Sequence, residues 1–329
     1  MVEFVPDDID FSAYLKETDA KRKIKGAELF IDDAKEKIRF RSTGKKTYLP
    51  WEKVNKCFEF RPAELTMWCG QNGHGKTDVT TQVALSLLGQ LEKVCIASFE
   101  LKPVTTIERM VRMYSGINIF MPEFQNAEGF EAIDQIYDEF GEWVTKKLWF
   151  YNQYGTTNPD NVYGLVKYCA EELGITHIFI DSLMKVVAGE DDYNAQKDFA
   201  AKLHSISQDH NIHIHLVHHL KKPSGGEFEK PDKHSTKGSG ALTDIVDNLF
   251  MIWRNKQKEN DARLNGEAST KKSEPDILVM NKKQRNYQGS DDGEPMIMLW
   301  REHESGQFVS QAGEPAQFFN NYPHRKTTW

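Results

Sequence analysis

The sequence predicts an α/β fold in which helices cover both faces of a mostly parallel central sheet. From residue 64 onward, short runs of β-branched and aromatic residues alternate with segments of helical periodicity, which is the pattern of strand-helix-strand crossovers. The first run leads into a glycine-rich loop, "GQNGHGKT", and this loop leads into a helical segment. With 329 residues, of which 39% are hydrophobic, the chain can bury the core of one large domain or two ordinary ones.

Eight strands are predicted, in chain order "ELTMWCG", "KVCIASFE", "KLWFYN", "THIFIDS", "IHIHLVHHL", "NLFMIWRN", "DILVMNKKQ" and "PMIMLWRE". Four helices are predicted between several of them, at "TDVTTQVALSLLGQ", "TTIERMVRMYSG", "NVYGLVKYCAEELG" and "YNAQKDFAAKLHSISQDH". Because a helix that joins two strands normally makes them parallel, most of the sheet is expected to be parallel.

The segments outside this alternation are predicted to be polar arms and loops. Residues 1–60 form an amino-terminal arm, with a hairpin signal at "EKIRFRSTGKKTYLPW". The α/β domain occupies residues 61–315 and is followed by a carboxyl-terminal tail, residues 316–329. Two internal stretches, 221–240 and 255–276, are rich in Gly, Pro, Ser and charge without apolar periodicity, which predicts mobile loops.

Composition argues against several classes of protein. The 42 basic and 49 acidic residues give a formal charge of −7, so a nucleic-acid contact would depend on local basic loops. Four widely spaced cysteines without a C-x-x-C pair argue against a disulfide framework and a zinc ribbon. No signal peptide is recognisable, and no apolar run approaches the roughly 20 residues of a membrane span. We expect a cytoplasmic protein without membrane contact, in the host cytoplasm if a phage encodes it.

The stretch "GQNGHGKT" satisfies the phosphate-loop pattern G-x-x-x-x-G-K-[ST]. Gly70, Gly73 and Gly75 let backbone N–H groups approach phosphate oxygens at a helix amino terminus, where the helix dipole favours negative charge. Lys76 is expected to reach the β- and γ-phosphates, and the Thr77 hydroxyl is expected to ligate Mg²⁺. The loop therefore predicts binding of ATP, or of another NTP or dNTP, together with Mg²⁺.

Two acidic residues follow predicted strands. Asp181 ends "HIFID" and should emerge beside the phosphates, where it is expected to hold Mg²⁺ through a water molecule. Glu100 ends "VCIASFE", the strand after the phosphate-loop helix, and a buried glutamate there would be costly without a partner. Hydrolysis of ATP needs an acid that orients and polarises the attacking water, so Glu100 is the predicted catalytic carboxylate.

Five histidines lie within residues 210–219, which raises the question of a metal site. In a strand, His213, His215 and His219 share one face, whereas His218 points to the other. A zinc site is therefore geometrically conceivable. The strand, however, offers no turn that would let three ligands converge, and it should be buried in the sheet. The role of His219 is then better judged from the motifs around it.

Several motifs resemble, in the same order, those of the RecA-fold hexameric replicative helicases, which include the DnaB-like group, phage primase-helicases and the mitochondrial helicase Twinkle. The matching stretches, between about residues 64 and 310, are "GQNGHGKT", "SFE", "IFIDSLMKVVAGE", "VHHLKKP", "TKGSGALTDIVDNLFMIWRN" and "MNKKQRNYQG". Many ATPases share the first, whereas the last two are more specific. The resemblance implies a RecA-like P-loop NTPase core with a short amino-terminal arm. It also implies a stand-alone helicase, since no primase module precedes residue 64 in this sequence.

In these helicases, the strand after the aspartate strand ends in a polar residue that senses the γ-phosphate. The resemblance assigns that role to His219 in "VHHLKKP". The basic loop that follows grips single-stranded DNA in the relatives, which assigns DNA binding here to Lys221, Lys222, Lys237, Gly238, Ser239 and Gly240. Lysines and glycine N–H groups suit contacts to the phosphate backbone that do not depend on sequence. Without the resemblance, the acidic residues interspersed in this loop would favour a solvated surface loop.

A Lys-x-Arg pair in this family projects into the ATP site of the adjacent subunit, where the arginine acts as a finger on the γ-phosphate. By position in "NKKQRNYQG" these residues are Lys283 and Arg285. A guanidinium supplied by a neighbour would make hydrolysis depend on assembly. Arg254 in "WRN" resembles an arginine that stacks on the adenine, and Trp300 is a candidate for the opposite side of the base.

The resemblance implies a ring-forming, ATP-dependent 5′ to 3′ DNA helicase with ATP sites at subunit interfaces. Its implied partners are single-stranded DNA, further copies of the chain in a hexamer, and a primase, a polymerase or a single-strand binding protein. The amino-terminal arm is expected to dock on a neighbouring subunit. Two other interpretations stay open: a recombinase or recombination mediator that forms a filament, and an ATP-binding assembly or loader protein that does not translocate.

Overall fold

The computed structural model of the chain describes residues 3–4, 27, 31, 34–35, 46–52, 57–187, 192–220, 228–231, 240–286 and 296–319. These residues contain one ten-stranded sheet with the order β1-β4-β3-β5-β6-β2-β7-β8-β9-β10. The strands are β1 Glu3–Phe4, β2 Leu65–Gly70, β3 Val94–Ser98, β4 Leu148–Phe150, β5 His177–Asp181, β6 His213–His219, β7 Asn248–Arg254, β8 Ile277–Gln284, β9 Met296–Arg301 and β10 Phe308–Val309. In this order, all neighbouring strands from β1 to β7 pair in parallel, whereas the pairs β7–β8, β8–β9 and β9–β10 are antiparallel. This confirms the predicted mostly parallel α/β sheet.

The described helices are α1 Lys76–Gly89, α2 Pro103–Ser115, α3 Ala127–Val144, α4 Pro159–Glu171, α5 Leu183–Val186, α6 Tyr193–His210, α7 Gly240–Ile245 and α8 Lys256–Asn265. Short 3₁₀ turns lie at Pro122–Phe124 and Gly266–Ala268. Among these described helices, none combines the length and apolar character needed to cross a membrane.

Two apolar layers hold the helices on the sheet. Side chains alternate along the buried strands, so that Trp68 of β2 packs on the side of α1, α2 and α3, whereas Cys69 packs on the side of α4, α6 and α7. The first layer also takes in side chains outside the predicted 61–315 domain, namely Leu49, Trp51, Phe58, Phe60 and Phe319. These flanking segments therefore pack as part of the same body.

The structure contains four helices and two short strands that the sequence did not predict. Residues 255–276, predicted as a mobile loop, include the helix α8, which begins after the cap bond from Lys258 N–H to the Asn255 side chain, 3.1 Å. Every residue of α8 is at least partly exposed, so no apolar face marks it in the sequence. The helices α3, α5 and α7 and the two-residue strands β1 and β10 were also not predicted. The predicted 221–240 loop lies outside the described residues, except for 228–231 and Gly240.

The strand order creates a crevice at the carboxyl edge of the sheet. The chain leaves β2 through α1 toward β3 on one side, while β7 lies against β2 on the other. Ligands of open α/β sheets bind at such a reversal, outside the carboxyl ends of the strands. The carboxyl ends of β2, β3, β5 and β6 all open toward this crevice.

Candidate functional site

The phosphate loop is wedged between β2 and the neighbouring strands. A side-chain Cβ at Gly70 would lie 2.8 Å from the backbone oxygen of Ile252, and one at Gly75 would lie 3.1 Å from Cδ1 of Ile277. Gly75 also has a φ of +81°, a conformation that other residues rarely adopt. Both positions therefore require glycine. With these glycines, the backbone of the loop passes close to the sheet before α1 begins.

Lys76 begins α1 and lies in the middle of the crevice. Its Nζ donates to Gly70 O and Gln71 O, each at 3.0 Å, and to Nδ1 of His219, also at 3.0 Å. An ammonium group has three N–H donors, so these three acceptors use all of them. Burial lowers the pKa of Lys76, while the nearby Asp181 and Glu100 act in the opposite direction.

Thr77 and Asp181, the two predicted magnesium ligands, contact one another beside the phosphate loop. The Thr77 hydroxyl donates to Oδ2 of Asp181 at 3.1 Å. Burial first, and then the charge of Glu100, raise the pKa of Asp181 to about 6, against the hydrogen bond from Thr77 and the charges of His219 and Lys76. Hydroxyl and carboxylate oxygens are the hard ligands that Mg²⁺ prefers. The residues therefore fit Mg²⁺.

Glu100 lies beside Asp181 and is held by two donors. Its Oε1 accepts hydrogen bonds from Ser182 Oγ at 2.8 Å and from His219 Nε2 at 3.0 Å. The hydrogen bond from His219 is the main cause that lowers the pKa of Glu100 to about 2, against the effect of burial. Glu100 is thus ionised at neutral pH. Potential ligand atoms of Glu100, Asp181 and His219 all lie within 4.8 Å of one another, and the described residues contain no other such group of three.

His219 links Lys76 to Glu100. Because lysine can only donate, Nδ1 of His219 must accept from Lys76, which leaves the proton on Nε2 to be donated to Glu100. The side chain is 22% exposed and stands at the last residue of β6. A change at Lys76 can therefore reach Glu100 through one imidazole ring.

The other histidines of β6 are core residues. His215 accepts from Trp68 Nε1 at 3.2 Å, contacts Nδ1 of His177 at 3.1 Å and stacks on Phe179 with ring centroids 4.1 Å apart. His213 lies between Arg61 O and the hydroxyl of Thr66. Burial lowers the pKa values of both rings, so they are neutral at pH 7. These contacts account for the histidine run without zinc.

A cleft of about 290 Å³ opens on the other side of the phosphate loop and is where the structure places Arg254. Its lining consists of Gly75, Arg254, Glu259, Asp276, Ile277, Arg301, His303 and Phe308. The Arg254 guanidinium donates to Gly73 O at 3.3 Å and pairs with Glu259. Trp300, the candidate for the opposite side of the base, is not among the lining residues, and its indole N–H donates to Ser273 O at 3.3 Å. Phe308 supplies the aromatic surface of the cleft.

Three site residues were missed by the sequence reasoning. Phe308 and Arg301 reach the cleft from the antiparallel strands β9 and β10, which follow no recognised motif. His74 occupies a variable position of the phosphate-loop pattern, yet it is buried, and its Nδ1 accepts the backbone N–H of Arg254 at 3.2 Å. This bond ties the loop to the end of β7. A histidine in that position gives no signal of its own, because its partner lies 180 residues away.

Lys283 and Arg285 lie at the opposite, amino edge of the sheet. Gln284 pairs with Asn248, the first residue of β7, whereas Arg254 at its last residue touches the phosphate loop. Six strand steps of about 3.3 Å put Arg285 roughly 20 Å from its own phosphate loop. Of the predicted DNA-binding residues, Lys221, Lys222, Lys237, Gly238 and Ser239 lie outside the described residues, and Gly240 begins α7.

Comparisons with known proteins identify the family and the fold. The profile of the DnaB-like helicase C-terminal domain matches residues 52–291. The fold is similar to a solved structure described as an ATPase domain, with a TM-score of 0.69 and 14% identity over 87% of this chain and 99% of that one. It is also similar to a DnaB-like replicative helicase described with its interactions with primase, with a TM-score of 0.66 and 16% identity over 87% of this chain and 67% of that one. The chain therefore belongs to the DnaB-like helicase family, the RecA-fold, NTP-hydrolysing helicases of DNA replication.

Proposed function

We propose that the chain forms a hexameric ring that translocates 5′ to 3′ on single-stranded DNA and hydrolyses ATP with Mg²⁺ at the interfaces between subunits. The observation that supports this most is the His219 bridge between Lys76 and Glu100, because His219 is followed within two residues by the basic 221–240 loop. The polarity and the number of subunits rest on the family resemblance.

The bridge gives a route from the nucleotide to the loop. A phosphate oxygen that binds Lys76 must replace one of its three present acceptors. Two of these are backbone oxygens of the phosphate loop, whereas the third is the side chain of His219 at the end of a strand. The His219 contact is the one that can be exchanged. We therefore expect the imidazole to shift when the γ-phosphate arrives and when it leaves, and the 221–240 loop to move with it.

Hydrolysis follows from the same residues. Mg²⁺, held by Thr77 and by Asp181 through water, would neutralise charge on the phosphate oxygens. Both donors to Glu100 end on Oε1, which leaves Oε2 to accept a hydrogen bond from a water molecule in line with the γ-phosphate. The water oxygen bonds to the γ-phosphorus as the bond to the β–γ bridging oxygen breaks, giving ADP and phosphate. Glu100 orients the water and accepts its hydrogen bond during the attack, and the proton that the water loses passes to the released phosphate.

Arg285 is proposed to complete this site in the neighbouring subunit. Its position at the amino edge, about 20 Å from its own phosphate loop, favours action in trans over action in cis. In a ring, the amino edge of one subunit would face the carboxyl edge of the next. Lys283 lies on the same strand end and would add a second positive charge.

The first experiment is steady-state ATP hydrolysis with and without long single-stranded DNA, over a range of protein concentrations. We expect strong stimulation by DNA that rises cooperatively with protein and is lost in Lys221→Ala/Lys222→Ala. The matched control is Lys271→Ala/Lys272→Ala, which removes the same charge from the polar segment that follows α8. Hydrolysis indifferent to DNA would instead support the assembly-protein interpretation, and filaments in electron micrographs would support the recombinase.

The trans finger is tested by mixing subunits. Arg285→Ala should bind ATP normally but lose at least about 100-fold in turnover, since arginine fingers contribute roughly 10³ or more in related chemistry. Lys76→Ala subunits have no working ATP site but keep an intact Arg285. If the finger acts in trans, mixing the two inactive proteins restores activity. Full activity of Arg285→Ala alone would exclude the finger.

A further inference from the structure

Asp247, the residue just before β7, is a buried acid that the hydrolysis mechanism does not use. It is 3% exposed and lies at the amino edge of the sheet. Its Oδ2 accepts from the backbone N–H of Leu65 at 2.9 Å and from Nε2 of His204 at 3.0 Å. Its Oδ1 accepts from the Arg285 guanidinium at 3.1 Å. Although burial alone would raise it, these donors hold the pKa of Asp247 below its usual value, so the carboxylate is charged.

The same guanidinium is bound to the end of the short helix α7. Arg285 donates to Asp244 O at 2.7 Å and to Ile245 O at 3.2 Å, and Lys283 donates to Thr243 O at 2.6 Å and to Asp244 O at 3.0 Å. The backbone N–H of Arg285 also donates to Asp247 O at 2.8 Å. The two cations and the last turn of α7 are thus linked by four side-chain hydrogen bonds.

The helix α7 begins at Gly240, where the basic 221–240 loop ends. The last turn of this six-residue helix holds Lys283 and Arg285 through its backbone oxygens. Asp247 is buried, and hydrogen bonds from Leu65 of β2 and His204 of α6 fix its carboxylate. The fixed carboxylate in turn orients the guanidinium of Arg285.

We propose that Asp247 and the last turn of α7 position Arg285, and so set the reach of the finger that one subunit offers to the ATP site of its neighbour. This inference rests on the proposed function of Arg285. Asp247 would act through Arg285 and would not itself touch the nucleotide.

Asp247→Asn is the sharpest change. If the amide oxygen faces Leu65 N–H, the amide NH₂ faces Arg285; if the amide is flipped, its NH₂ faces Leu65 N–H. In either orientation the amide NH₂ faces another N–H donor, whereas the volume of the side chain is unchanged. We expect DNA-stimulated kcat to fall about 10- to 100-fold with KM for ATP within about twofold, as for a lost interaction specific to the transition state. Glu59→Gln, which removes a charge paired with Lys46 and Arg61 at the same edge, is the control and should keep wild-type turnover.

Subunit mixing separates a positioning role from a structural one. Asp247→Asn subunits have intact ATP sites, so addition of Lys76→Ala subunits, with intact fingers, should restore DNA-stimulated hydrolysis above the sum of the two. Such rescue also shows that the Asp247→Asn protein folds and assembles. A second variant, Arg285→Lys, keeps the charge but lacks the two separate nitrogens with which the guanidinium reaches the carboxylate and the carbonyl oxygens, and it should be rescued in the same way.

Three outcomes would overturn the inference. One is wild-type turnover in Asp247→Asn, and another is a rise of hydrolysis without DNA, which would make Asp247 a restraint on the finger. The third is a defect that mixing does not rescue while Arg285→Ala is rescued, because the variant then damages its own subunit only. If neither variant is rescued, the trans finger itself fails, and the proposed function fails with it.

Discussion

The two edges of the sheet carry charged networks of opposite character. At the carboxyl edge, Glu100 and His219 are partly exposed, and His219 is bonded both to Glu100 and to the buried Lys76, whose bond to His219 a phosphate can replace. At the amino edge, Asp247 is almost fully buried, and its partners come from β2, α6 and the end of β8. The first network faces a substrate, whereas the second fixes the chain's own elements. The difference supports our proposals that the carboxyl edge carries out the hydrolysis and that the amino edge positions Arg285 for a neighbouring subunit.

The strand β6 shows the same contrast within seven residues. His213 at its amino end is fully buried between a backbone oxygen and a hydroxyl group, and burial lowers its pKa to about 4. His219 at its carboxyl end lies between a lysine and a glutamate and is 22% exposed. The same residue type is therefore a core residue at one edge and a proposed sensor of the nucleotide at the other, because its environment rather than its identity sets its role.

The largest expected effect comes from Glu100→Gln at the carboxyl edge. The amide cannot polarise the attacking water as a carboxylate does, so turnover should fall by about 10³-fold, within the usual range for loss of a catalytic base. ATP binding should change little, because Lys76 and the phosphate loop are unaltered. Single-turnover hydrolysis and nucleotide-binding titrations measure the two quantities separately. A variant that kept more than about a tenth of wild-type turnover would assign the water to another residue.

The amino end of β6 gives the second prediction, which concerns stability. With a folded pKa of about 4 for His213 against a usual 6.5, the unfolded chain binds the proton more tightly between these values. The free energy of unfolding should therefore fall as the pH drops from 6.5 toward 4, by about 3 kcal/mol from this residue, and be unaffected by it above 6.5. In His213→Gln this part of the pH dependence should disappear.

Urea unfolding at about pH 8, 6 and 5 would measure that slope. The control is His210→Gln, which removes a partly exposed histidine paired with Glu171 on the surface. A slope that is the same in His213→Gln and in wild type would show that the buried ring is already protonated or accessible. The predicted contrast between the two ends of β6 would then be lost.

The sequence predicted the carboxyl edge better than the amino edge, for a physical reason. Lys76, Asp181 and Glu100 each follow a strand of a parallel sheet, so their convergence follows from topology once the strands are recognised. Asp247 and His204 meet through the packing of α6 on the sheet, which no local pattern encodes. The helix α3 is different, since Ile136, Phe140 and Val144 give it an apolar stripe at helical spacing that the prediction did not use. The strand β10 is too short for any periodicity to show.

The smallest expected effect comes from Arg254→Ala. Arg254 lies at one end of β7 and Arg285 lies beside the other, so the two arginines compare the two edges along a single strand. Arg254 lines the cleft next to Gly75 and contacts the phosphate loop, so we expect it to bind the base or ribose equally in the ground and transition states. Arg254→Ala should raise KM for ATP about tenfold and leave kcat nearly unchanged, the signature of uniform binding. Arg285→Ala should do the reverse.

The control for Arg254 is Arg263→Ala, which removes an exposed arginine from the last turn of α8 without touching the cleft. A fall in kcat rather than a rise in KM for Arg254→Ala would mean that the bond between His74 and the Arg254 backbone transmits strain to the phosphate loop. The contrast between Arg254, expected to affect KM, and Arg285, expected to affect kcat, would then be lost. Because the His74 contact involves only the backbone N–H of Arg254, truncation of the side chain should leave it intact, and the division between the two ends of β7 should hold.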